Sequence, residues 1–202
     1  MAYEKAFFHK DLGEFITPRV VLAWPNVLTA RRVKGDDTSP PRFTVTGLIP
    51  KSADISVLLE EFNRAGKAEH GVMWGKKKTL QLAINNTADE PALEALSVEY
   101  PHFIKGSAKA EYQPLIYGPD IKPWAGEATE IYSGRRALLG GKFFAYKTGK
   151  GGVSFGLNRV ILLENGERLP LAGGGPRPIS ADGGGFEAVD IGEGESASDM
   201  FA

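Results

Sequence analysis

The chain has 202 residues, 42% of them hydrophobic and 24% charged, a balance that fits a globular domain and excludes a chain disordered throughout. No apolar run is long enough for a spanning helix, the first fifteen residues carry charges through their apolar patch, and there is no cysteine. A transmembrane helix, a secretory signal, a disulfide framework and a thiolate metal site are therefore not expected. The net charge of −1 hides an asymmetry: all 24 Lys and Arg lie at or before Arg177, whereas Asp182, Glu187, Asp190, Glu193, Glu195 and Asp199 follow with no base among them. The body thus carries +5 and the C-terminal segment is purely acidic.

In chain order, "RVVLAW" (Arg19 to Trp24) predicts a first strand closed by Pro25-Asn26. The polar, proline-rich "KGDDTSPP" is a loop, and "RFTVTGLIP" (Arg42 to Pro50) alternates as a second strand. The period then changes. Ile55, Leu58, Leu59 and Phe62 recur at helical spacing, with Ser52 as the N-cap and Gly66 as the stop. "HGVMWGKKKTLQLAINN" reads as a loop entering a short strand, "DEPALEALSVEYP" as a brief helix, and "HFIKGSAKA" as a strand. "QPLIYGPDIKPWAGEA" is an irregular crossing. Two strands follow, Arg135 to Lys147 and Gly152 to Leu163, joined by the Gly-rich "TGKGG", with a further turn at "ENGER". Residues 172–202 hold too little apolar surface to offset ordering entropy, and a disordered acidic tail after a domain of residues 1–171 is expected. Strands, one helix, then more strands do not follow the rhythm of a parallel α/β sheet. The expected fold is mainly β: a small five-stranded barrel with one packed helix.

The chemistry is concentrated in the strand Arg135 to Lys147. Successive side chains alternate between faces, so Ala137, Leu139, Gly141, Phe143 and Ala145 are expected inside. Arg136, Lys142, Phe144 and Tyr146 then face solvent, together with Leu138 and Gly140. Aromatic rings offer bases a surface to stack on, and cations neutralise phosphates, which is what gripping a single nucleic-acid strand requires. The other reading of Phe144 and Tyr146 is packing under the helix or at a subunit contact. Lys147 and Lys150 flank the hairpin tip, and Trp74 followed by Lys76, Lys77 and Lys78 repeats the aromatic-basic theme, although three lysines are also an ordinary solvated face. Trp24 reads as core.

Enzymatic motifs fail. "HGVMWGKKKT" has three residues between its glycines and lacks Ser or Thr after the first lysine that follows, so it is no P-loop. His9, His70 and His102 have no zinc-binding spacing, and no GxSxG elbow is present. Neither an enzyme nor a cofactor is expected. In the tail, Asp190, Glu193, Glu195 and Asp199 lead to Met200 and Phe201. Such a segment solubilises, competes with nucleic acid for a basic face, or docks its terminal aromatic on other proteins.

"EIYSGRRALLGGKFFAYKTGKGGVSFGLNRVILLENGERL", with the terminal "SASDMFA", resembles a bacteriophage single-stranded-DNA-binding protein family. Tyr132-Ser133-Gly134, Phe143 to Tyr146, Gly156-Leu157-Asn158 and Glu164 to Leu169 match its pattern in order, and "RVVLAWPNV" and "TVTGLIPK" resemble its first two strands. Arg135 stands where such sequences often carry Cys. More distantly the chain looks like the single-stranded-DNA-binding protein of short-tailed lytic phages. The resemblance implies an OB-fold, binding to single-stranded DNA in the host cytoplasm, and a role in phage replication and recombination. It also implies tail contacts with phage or host replication proteins, and a homodimer. The alternative carried beside it is a phage assembly protein that uses the aromatic face for subunit contacts.

Overall fold

The computed structural model describes residues 3–32, 38–71 and 80–171. Within them the chain forms β1 (Phe7–His9), β2 (Glu14–Ile16), β3 (Val20–Arg31), β4 (Arg42–Ile49), α1 (Ser56–His70), β5 (Gln81–Leu82) and β6 (Ile84–Asn86). There follow β7 (His102–Lys109), β8 (Leu115–Tyr117), β9 (Arg136–Tyr146) and β10 (Gly152–Leu162).

Five of these strands close on themselves. β9 pairs with β3, β3 with β4, β4 with β7, β7 with β10, and β10 returns to β9. All the contacts are antiparallel except β7 with β10. This ring is the mainly β, OB-type barrel expected from the sequence, held by long ladders along β3–β4, β4–β7 and β9–β10 and by two residue pairs each at β9–β3 and β7–β10. Inward side chains from every strand fill it, among them Leu22, Val45, Ile104, Leu139 and Phe155, all at most 2% exposed. Gly47 makes room at the centre, where a Cβ would stand 3.0 Å from the Leu139 and Val20 side chains. The helix α1 lays Leu58 and Phe62 on the barrel, with the Phe62 ring 5.9 Å edge-on from Phe143. Burying each such side chain contributes about 1.5–3 kcal/mol.

Three additions are built onto the ring. The β1–β2 hairpin joins β9, with Phe15 opposite Gly141 and Ile16 opposite Gly140. β8 runs parallel to the far end of β10. The short pair β5 and β6 forms a wedge where β7 and β10 diverge: Gln81 pairs with Gly152, while Ile84 to Asn86 pair with Ile104 to His102.

Glu14, only 4% exposed, fixes the hairpin. Its carboxylate accepts Arg159 Nε at 2.6 Å, Arg159 Nη2 at 3.1 Å and Asn158 Nδ2 at 2.9 Å. The Arg159 stem lies over Gly140, where a Cβ would be 2.4 Å from Cγ. Burial by itself raises the Glu14 carboxyl, but these hydrogen bonds and the Arg159 charge outweigh it and hold the group below the usual carboxylate range.

Several sequence expectations are corrected. The first strand does not stop at Pro25-Asn26 but runs to Arg31. Trp24 takes a positive φ of 47°, its amide donates to Ser133 Oγ, and the register shifts between Ala23 and Asn26. A bulge there interrupts the ladder, so the missing proline N–H costs no hydrogen bond. Ser52 does not cap the helix. Asp54 does that work from before it, its Oδ1 accepting both the amide and the hydroxyl of Ser56, and these bonds with the Lys5 pair pull its pKa down to about 2. Gly66 does not stop α1 but is buried within it, and the helix ends at Gly71, left-handed at φ 66°. The brief helix expected near Pro91 is two separate 3-10 turns, Thr87–Asp89 and Glu94–Leu96. The hairpin at "TGKGG" is borne out, with Gly149 and Gly151 at positive φ. The expected tail, residues 172–202, lies outside the described residues, as do Trp74, Lys76, Lys77 and Lys78.

Candidate nucleic-acid interface

The register lays outward side chains across four adjacent strands in rows. Thr44 of β4 is opposite Ser107 of β7, Ser107 is opposite Gly156 of β10, and Gly156 is opposite Lys142 of β9. One row on, Thr46 faces Lys105, and Ser154 faces Phe144. Thr44, Thr46, Lys105, Ser107 and Ser154 of these rows floor a groove of about 520 Å³, bordered by Arg42 on one side and by Gln81 and Tyr146 on the other, and Lys142 and Phe144 continue the rows beside it. Its back wall is the β5–β6 wedge, which the Lys105 amide anchors by donating to Ala83 O at 2.7 Å.

Two aromatic rings stand at one end of this groove. Phe144 is 46% exposed, and its ring lies over Gly156, where a Cβ would be 3.2 Å from Cε1. Glycine there lets the ring lie down on the strand. Tyr146 is half-buried and donates its hydroxyl to Gln81 Oε1 at 2.8 Å, which fixes the ring against the wedge. The ring centroids are 6.5 Å apart and tilted by 49°, so two aromatic surfaces meet at an angle.

The cations are differently placed. Lys142 is exposed and shares the aromatic face, and its charge helps to lower the Glu14 carboxyl. Lys147 pairs with Glu69 of α1 at 2.7 Å, and Lys150 is exposed at the hairpin tip. Lys105 reaches Glu90 at 3.2 Å and lies over the Phe103 ring. Arg136 is not part of this grouping. It sits eight residues from Phe144, roughly 26 Å along the strand, and shares Glu164 with Arg19, each at 3.0 Å.

The expected solvent face of β9 is also only half correct. Leu138 and Gly140 are buried, because Ile16 of the hairpin, Leu163 and the Arg159 stem cover them. The open face begins at Lys142. Sequence reasoning missed Arg42, Thr44, Lys105, Ser107 and Gln81. The available signal was the alternation of "RFTVT", whose even positions are polar, combined with the tendency of OB barrels to bind on their second and third strands. Among the described residues no three acids or histidines converge to hold a metal ion, and no helix is long and apolar enough to cross a membrane.

A five-stranded barrel with hydroxyls and cations along its second and third strands, and two rings beside them on the fourth, defines an OB-fold binding protein. The sequence matches the family described as Enterobacter phage Enc34, ssDNA-binding protein, over residues 13–193, and the chain belongs to that family. Comparison with curated proteins gives no match. Among solved structures, the single-stranded DNA-binding protein from bacteriophage Enc34 in complex with ssDNA is similar, with a TM-score of 0.64 and 16% identity over 83% of this chain and 95% of that one. The same phage protein with its C-terminus truncated gives 0.66 at 17% identity, covering 84% and 95%. The single-stranded DNA-binding protein gp2.5 encoded by bacteriophage T7 gives 0.53 at 11% identity, covering 76% and 93%. The family resemblance read from Tyr132 to Leu169 is thereby borne out, and the assembly-protein alternative is not favoured.

Proposed function

We propose that this protein holds single-stranded DNA, largely without reading its sequence, during phage DNA replication and recombination in the host cytoplasm. It acts by binding rather than by catalysis. The observation that carries the reading is the angled Phe144–Tyr146 pair beside a polar, cation-bordered groove on a barrel of this family. Bases stack on the two rings while Lys142, Lys147 and Lys150 follow the backbone. Trp74 and Lys76 to Lys78, which precede the wedge in sequence, extend the same grip. Arg136 is left as a structural ion-pair residue.

Anisotropy titration of the full chain with labelled oligo-dT and with its duplex, at low and high salt, tests this. Tight binding to the single strand that weakens steeply with salt is the expected result. Equal affinity for the duplex would overturn the reading. The acidic tail is proposed to occupy the basic groove when DNA is absent and to contact replication proteins through Met200 and Phe201. Deleting residues 182–202 is then expected to tighten binding, and unchanged affinity would remove the competition role. A homodimer is the proposed assembly.

A further inference from the structure

Three cations stand in one cross-strand row at the loop end of the groove. Arg31 of β3 is directly opposite Arg42 of β4, and Arg42 is directly opposite Lys109 of β7. Opposed residues of antiparallel strands project from the same face with Cα atoms about 4.5–5.5 Å apart, and like charges so placed repel. Within the described residues none of the three is paired with a carboxylate. Arg42 gives only a hydrogen bond from Nη2 to Ser107 Oγ at 3.3 Å, and Arg31 and Lys109 are exposed. Glu111, two residues after Lys109, is itself exposed. Among the described residues the row adds no ion pair to the fold.

We infer that Arg31, Arg42 and Lys109 form a phosphate-binding row that fixes the path of the DNA backbone. The inference rests on the binding proposed above and extends it. Arg42 borders the groove, and its bond to Ser107 tips it toward the floor, so the row leads directly into the hydroxyls of Thr44 and Ser107. From there the strand crosses β7 and β10 to the rings of Phe144 and Tyr146. Phosphates are thus held at the loop end as well as by the lysines at the hairpin end, and the strand lies obliquely across the barrel between them.

The test compares the full chain with the double variant Arg31→Gln, Lys109→Gln, titrating labelled oligo-dT at a series of salt concentrations. Each phosphate contact contributes a slope of about 0.7 in log K against log salt for a single strand, so the double variant should lose about 1.4 from that slope. Its affinity should fall most at low salt and approach wild type at high salt. Both residues are exposed, so the fold should be unaffected, and circular dichroism verifies this. The variant Phe144→Ala should weaken binding at every salt concentration with its slope kept. A folded double variant with the wild-type slope would overturn the phosphate row alone. A wild-type chain that binds no single strand would overturn the underlying reading as well.

Discussion

Replacing Phe144 and Tyr146 together by alanine is expected to weaken single-strand binding by roughly 2–6 kcal/mol, at least about thirtyfold in Kd. The range follows from about 1–3 kcal/mol for each stacked base. The domain should remain folded. Phe144 is 46% exposed, and Tyr146 loses one hydroxyl bond to Gln81, worth about 1 kcal/mol in stability. Both quantities are read on the same sample, anisotropy for affinity and a urea titration for stability. Wild-type affinity in a folded double variant would exclude the rings from the DNA site, and a collapse in stability would show them to be core. The salt slope separates this loss from that of a cation, since stacking releases no counterions.

The second large effect concerns stability. Arg159→Ala is expected to cost about 3 kcal/mol of unfolding free energy, because it leaves the Glu14 carboxylate buried with only Asn158 as partner. The lower end of the range for buried pairs applies, since the Arg159 side chain is 15% exposed and that of Glu14 is 6%. Replacing both residues by methionine should restore much of the loss, because the desolvation cost disappears with the pair. The pH dependence has a definite sign. The folded Glu14 carboxyl titrates below its ordinary value of 4.5, so its contribution is complete above that pH and lost as pH falls through the lower folded value. The stability gap between wild type and Arg159→Ala should therefore shrink on acidification. A gap independent of pH would locate the cost in lost packing over Gly140 instead.

The five barrel strands and the helix were legible from their apolar periodicity, as in Ile55 to Phe62 and in Phe43 to Thr46, whereas β1 and β2 were not read and β8 lies in the stretch expected to be an irregular crossing. The hairpin was legible from the glycines that its positive φ angles demand. What local pattern could not show was who lies beside whom. Leu138 and Gly140 look exposed until a hairpin distant in sequence covers them, as the register of Ile16 with Gly140 shows. Arg136 and Phe144 share a face in sequence, yet an ion pair with Glu164 commits one to the scaffold while the other stays open. Arg42 and Lys105 look ordinary until strand order places them around one groove. Conversely, Trp24 and Pro25 read as a strand end because a bulge uses the same residue types as a turn.

The anchoring of β2 on β9 and β10 also bears on how the chain is made. Glu14 finds its partner at Arg159, and Ile16 pairs with Gly140. The pairing of β1 with β2 and the Ala6 bond to Asp54 can form early, but β2 lacks its β9 and β10 partners until most of the chain has been synthesised. The β3–β4 hairpin and α1 form from nearby residues, but β9 is needed both to close the ring on β3 and to receive β2. Folding dominated by such distant pairings is slow. At about 5–20 residues per second of synthesis, the interval is seconds, during which Phe15 lacks its Phe143 and Gly141 neighbours. The late strand that carries the aromatic rings is thus also the one whose arrival permits the barrel to form, so single-strand binding can begin only when assembly of the domain is complete.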